Sequence, residues 1–174
     1  MRQLIAQVLA IGVLAAPAWA QETAKPGPEQ ARIGYFAGAW RSAGEVMASP
    51  MGPAGATSGT ETCTWFSGGF HLVCNGDATG PRGSAKTGSI WSYDPAQQAY
   101  TYYGYNSMGE GFYVLGHVDG KVWTWKAEFP VEGATMQMRA TITEESPAAY
   151  SFKLEMSPDG TSWTQVEKGH ATKK

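Results

Sequence analysis

Apolar and polar positions alternate with a period of two along most of the chain after Trp40, the pattern of half-buried β-strands. The clearest runs are 134–143, with Met136, Met138, Ala140 and Ile142 on one side, and 149–156, with Tyr150, Phe152, Leu154 and Met156. Clusters of glycine, proline, aspartate and serine interrupt the alternation at 49–56, 67–69, 78–85, 94–98, 107–110, 119–120, 130–133, 144–148 and 157–160. Nine turns delimit ten strands, and without a helix-length interruption consecutive strands pair as an antiparallel meander. Ten strands in one small domain leave exposed edges unless the sheet closes on itself. The expected fold is therefore all-β, a ten-stranded antiparallel meander β-barrel. Residues 29–36 have room for a short helical turn ahead of the first strand.

Two hairpins are explicit enough to assign faces. Residues 62–74 read as two strands around Gly68-Gly69, which sets Cys63 opposite Cys74. Cys63, Trp65, Phe70, Leu72 and Cys74 then share a face, and His71 lies on the other. A turn at Asp119-Gly120 pairs 118 with 121 and 116 with 123. It gathers Phe112, Val114, Gly116, Val118, Trp123, Trp125 and Ala127 on the core face, sets Gly116 opposite Trp123 and turns His117 outward. The run 100–110 is densest in aromatics. Its alternation separates Tyr100 and Tyr102 from Tyr103 and Tyr105 without saying which pair faces in, and we place Tyr103 and Tyr105 inward.

Composition sharpens this picture. The 22 glycines, 12% aromatics and 16% charged residues suit tight turns and strands rather than a helical bundle. A formal net charge of −2 argues against a nucleic-acid-binding surface. Met1-Arg2, the apolar stretch 4–16 and Ala18-Trp19-Ala20 form an export signal with cleavage expected after Ala20. The expected organisation is a signal peptide at 1–20, a loose tail at 21–28 and a single barrel domain at 29–174. The mature protein is expected to be periplasmic or secreted, monomeric and without stable membrane insertion. In an oxidising compartment, Cys63 and Cys74 are expected to form a disulfide, whose loop of about a dozen residues contributes about 3 kcal/mol.

Catalytic motifs are missing from the sequence. It contains no G-x-S-x-G, no phosphate-cradling G-x-x-x-x-G-K, no H-E-x-x-H and no dinucleotide fingerprint. Asp77, Asp94, Asp119 and Asp159 all stand in turns, where short side chains cap backbone groups. Glu45, Glu61, Glu128 and Glu155 fall within strands, but nothing in their spacing requires an acid/base pair. His71, His117 and His170 are too few for a three-histidine site unless they converge. No metal site, catalytic residue or cofactor is expected.

Residues 33–45 (IGYFAGAWRSAGE), 62–74 (TCTWFSGGFHLVC), 100–110 (YTYYGYNSMGE) and 167–174 (EKGHATKK) resemble the exported bacterial domain of unknown function 1579. The resemblance runs from about residue 29 to the C-terminus. It implies an antiparallel barrel related to the calycins, the group of lipocalins and fatty-acid-binding proteins, and no established activity. Gly38-Ala39-Trp40 is similar to the G-x-W of the first lipocalin strand, where the tryptophan plugs one end and a basic residue from a late strand stacks on it. Lys153 and Lys168 are the candidates for that partner. The strand count and the lack of a helical lid are also similar to nitrobindins, barrels that hold haem through a histidine.

The functional expectation is a small apolar or amphipathic molecule bound inside the barrel without chemical change. Candidate pocket residues are Trp65, Leu72, Tyr103, Tyr105, Phe112, Trp125, Met136 and Met138, the tyrosines orienting a ligand and the methionines adapting to it. Two alternatives stand beside it: a haem-binding, nitrobindin-like isomerase, and an interaction module using an exposed aromatic face.

Overall fold

A computed structural model describes residues 25–50, 52–131 and 133–174. The expected signal peptide at 1–20, and residues 21–24 of the expected tail, lie outside the described residues. A short helix, α1 (Pro28–Ile33), comes first, with proline in the opening turn where a missing N–H is harmless. The Gln30 side-chain oxygen accepts from the Gly27 N–H at 2.9 Å. A single 3₁₀ turn, Gly34–Phe36, leads into the sheet.

Ten strands follow: β1 (Gly38–Val46), β2 (Gly55–Trp65), β3 (Leu72–Gly80), β4 (Gly83–Asp94), β5 (Ala99–Asn106), β6 (Gly111–Asp119), β7 (Val122–Val131), β8 (Ala134–Ser146), β9 (Ala149–Ser157) and β10 (Thr164–Lys173). Each pairs antiparallel with its neighbour in sequence, and β10 pairs with β1 to close the barrel. Each of the nine expected turn segments overlaps a junction between consecutive strands, although strands run into several of them, as at 78–80 and 144–146. The β2–β3 hairpin has the expected register, with Cys63 opposite Cys74 and the two joined as a disulfide.

The β6–β7 hairpin departs from expectation. Its turn is centred on Gly120 and Lys121, so Asp119 pairs with Val122 and Gly116 faces Trp125 instead of Trp123. The cause is Gly120, whose φ of +55° fits the first central position of a hairpin turn, which a residue with a Cβ adopts only under strain. Because moving the turn by one residue slips the pairing by two, every side chain keeps its expected face.

The two ends of the barrel differ. At one, α1 and the 3₁₀ turn form a plug. Phe36 stacks on Trp91 at 4.5 Å and meets Trp123 edge-on at 5.1 Å. The Trp40 indole N–H donates to the Phe36 carbonyl at 2.8 Å. Arg32 and the Trp123 indole N–H both reach one Glu144 carboxylate oxygen, each at 2.6 Å, and the Tyr35 hydroxyl donates to the Ala149 carbonyl at 2.7 Å. Bonds hold the plug to β1, β8 and β9 and ring contacts hold it to β4 and β7, while the opposite end has no such cover among the described residues.

Candidate functional site

Inward side chains are unevenly sized around the barrel. On β4 to β7 they include Trp91, Tyr100, Tyr102, Val114, Trp123 and Trp125, which pack with the plug into one apolar cluster. On β1 to β4, towards the uncovered end, they are small: Ser42, Thr57, Gly59, Ala78, Ala85 and Thr87. Small walls leave space, and a cavity of about 340 Å³ opens there. Phe152, Leu154 and Val166 supply its apolar side. The volume lies at the lower end of the range for small-molecule sites.

A bulge in β10 shapes the apolar side. The β9–β10 register shifts between Gln165 and Glu167, so Val166 and Glu167 both line the cavity in spite of being sequence neighbours. Burial holds the Glu167 carboxyl above the ordinary glutamate range, and it makes no ion pair among the described residues. At the mouth, Arg82 pairs with Glu110, which also accepts from the Asn106 amide at 2.7 Å.

Deeper in, one inward step below Gly59, stands Glu61. Burial raises its carboxyl, and a hydrogen bond with the Ser89 hydroxyl partly offsets this. Ser89 in turn accepts from the Trp91 indole N–H at 3.1 Å. Burial pushes the neighbouring Tyr102 phenol up to about 12, the negative charge of Glu61 adding to the effect. Trp125, 5% exposed, keeps its indole N–H buried with no hydrogen-bond partner among the described residues. The interior therefore carries unspent hydrogen-bonding capacity as well as space.

Glu61, Cys63 and Cys74 bring potential metal-ligand atoms within 4.8 Å of one another. The two sulfurs are bonded to each other, so neither offers a thiolate and the group does not fit a metal ion. A larger depression of about 500 Å³ lies on the outer face over Gly44 and Gly169. Its charges are already committed, Lys168 to Glu45 at 3.0 Å and Lys153 to Glu155 at 3.2 Å, which leaves the inner cavity as the candidate site.

The family described as "Protein of unknown function (DUF1579)" matches residues 25–173. This chain belongs to the DUF1579 family. No curated protein matches it. Among solved structures, this DUF1579 barrel is similar to Rv2717c from M. tuberculosis, with 10% identity and a TM-score of 0.56 over 85% of this chain and 98% of that one. It is also similar to a de novo designed fluorescence-activating β-barrel, with 11% identity and a TM-score of 0.45 over 80% and 94% of the two chains. A third likeness is EF1p2_mFAP2b bound to DFHBI, with 10% identity and a TM-score of 0.42 over 83% and 98%. At 10% identity the likeness to Rv2717c shows the fold alone.

None of the eight residues expected to line a pocket lines the cavity of the DUF1579 barrel. Tyr103 and Tyr105 stand on the outer face, 46% and 42% exposed, and the inward pair is Tyr100 and Tyr102. Outside, the Tyr105 ring lies over Gly88, where a Cβ would come within 2.3 Å of it. Trp65 sits at the plugged rim, 38% exposed, beside Gly34. Leu72 is fully buried, but in the plug cluster. Phe112 has the expected face, yet it lies near the end of its strand, 48% exposed and stacked on Tyr102. Trp125, Met136 and Met138 face inward as expected, on the side of the barrel away from the cavity.

The three histidines of the DUF1579 chain, His71, His117 and His170, are all exposed, so a histidine-ligated haem inside the barrel finds no ligand among the described residues. Of the actual lining, the sequence carried one readable signal. Once the 62–74 hairpin fixes Cys63 and Cys74 as inward, counting back by twos along β2 gives Glu61, Gly59 and Thr57, and forward along β3 gives Gly76, Ala78 and Gly80. A run of small inward residues on one wall, facing aromatics on the other, marks where a barrel is hollow.

Proposed function

We propose that this protein is an exported, non-catalytic carrier or sensor that binds one small amphipathic molecule in the uncovered end of its barrel. The observation that carries this reading is the cavity of about 340 Å³, with small and hydroxyl-bearing residues on one wall and Phe152, Leu154 and Val166 on the other. Such a lining accommodates an apolar body while leaving a few polar contacts to orient it. Export to an oxidising compartment is supported by the leader-like sequence at 1–20 and by the Cys63–Cys74 disulfide.

The neutral dye N-phenylnaphthylamine, whose emission rises and shifts to the blue in apolar surroundings, tests the cavity. Saturable one-site binding is expected for the native protein and not for Thr57→Trp, whose indole occupies the same space. An absence of saturable signal, or equal signal from a folded Thr57→Trp variant, refutes the reading.

A second reading has one observation in its favour. Val73, Ile90, Tyr103 and Tyr113 form a row of cross-strand neighbours over the outer face of β3 to β6, with both tyrosines exposed. A face of this kind suits an apolar protein partner. Self-association in sedimentation velocity that disappears in Tyr103→Ser/Tyr113→Ser favours it, and a concentration-independent monomer counts against it.

A further inference from the structure

We infer that the molecule held in the cavity is a cationic amphiphile, an amine or quaternary ammonium carried on a short apolar body, with Glu167 as the residue that receives its head group. The inference rests on the cavity-binding reading and adds to it a chemical class.

The charged side chains lining the cavity are Arg82, Glu110 and Glu167. Arg82 is committed to Glu110, and Glu110 is held a second time by Asn106. That leaves Glu167, which lies opposite Val46 and Leu154 and has no ion pair among the described residues. The next carboxylate inward, Glu61, also has no ion pair among the described residues and is hydrogen-bonded to the Ser89 hydroxyl.

The nearby cations do not serve these acids. Lys168 and Lys153, which flank Glu167 on β10 and β9, point to the outer face and pair with Glu45 and Glu155. Lys173, at the inward end of β10, lies over the Trp40 ring at the plugged end. A carboxylate half-buried against Leu154 and Val166 gains most from a ligand that brings a charge-assisted N–H or a compact cation to it. A fatty acid would set its own carboxylate beside Glu167 and be repelled. Glu167 and Val166 point into the same space because of the bulge, so one ligand meets an anionic group and an apolar surface together.

Three probes of one chain length separate the possibilities: n-octylamine, n-octanol and n-octanoate, titrated calorimetrically into the full mature protein at neutral pH and low salt. The amine is expected to bind at least about tenfold more tightly than the carboxylate, with the alcohol between them. In Glu167→Gln the three affinities are expected to converge while octanol binding is kept, which also reports that the variant is folded. Equal binding of amine and carboxylate by the native protein, or an amine preference that survives Glu167→Gln, overturns the inference while the cavity reading stands. Failure of all three probes to bind overturns both.

Discussion

Lys173 places its ammonium 5.0 Å from the centre of the Trp40 ring, directly across the β1–β10 seam. The last strand thus supplies the basic partner of the first-strand tryptophan, in place of the expected candidates Lys153 and Lys168. Trp40 also touches Tyr150 and Tyr35 at 4.9 and 5.9 Å, so it joins seam and plug. Trp40→Ala is expected to cost about 3–5 kcal/mol in urea unfolding, and Lys173→Met about 0.5–1 kcal/mol. Equal costs would mean that the ring is held by its charge contact rather than by packing.

Gly116 matters because of what lies on it. A Cβ there would come within 2.3 Å of the Trp125 ring, its cross-strand neighbour. Gly116→Ala is expected to destabilise by about 1–3 kcal/mol through overpacking. Near-ultraviolet circular dichroism should report the displaced indole, and an unchanged spectrum with unchanged stability would contradict this packing.

The disulfide closes a loop with a sequence separation of 11. Cys63→Ser/Cys74→Ser is expected to lose about 3 kcal/mol while keeping the barrel fold. Non-reducing mass spectrometry of the native protein should find two hydrogens fewer than the reduced mass.

Acid and base act on different carboxylates. Burial raises Glu61 and Glu167 above their ordinary value of 4.5, so the native state keeps these protons to a higher pH than the unfolded chain does. Their contribution to stability is fully present below that value and is lost as pH rises through the folded pKa values. Glu155 and Glu110 behave oppositely. Hydrogen bonds from Arg139 and Arg82 respectively hold them low, so their contribution is present above the ordinary range and lost on acidification. Glu61→Gln is therefore expected to be flatter than the native protein in stability from about pH 4.5 upward. A variant curve parallel to the native one would show that Glu61 is not desolvated.

The turns and the closed meander were legible because glycine, proline and aspartate fix backbone geometry locally, and the Cys63–Cys74 pair fixed one register outright. The β6–β7 turn was misplaced by one residue because Asp119-Gly120 offers two settings for the same glycine. The tyrosine run was ambiguous for a different reason. Aromatics occupy both parities at 100–105, so alternation separates Tyr100 and Tyr102 from Tyr103 and Tyr105 without giving a sign. Register sets the sign, since Tyr102 lies between Trp91 and Val114, both buried on the inward face. That Val166 joins Glu167 in the cavity was illegible, since alternation from Ala171 through Gly169 turns only Glu167 inward and the bulge adds Val166.

Native mass spectrometry of the full protein, purified from the cells that make it and sprayed before and after denaturation, shows whether the barrel carries a molecule inside it. A single small molecule is expected to leave on denaturation, in a one-to-one ratio, and to be absent from Thr57→Trp prepared in the same way. An identical bare mass from both proteins, in material that also fails to take up N-phenylnaphthylamine, would contradict the account.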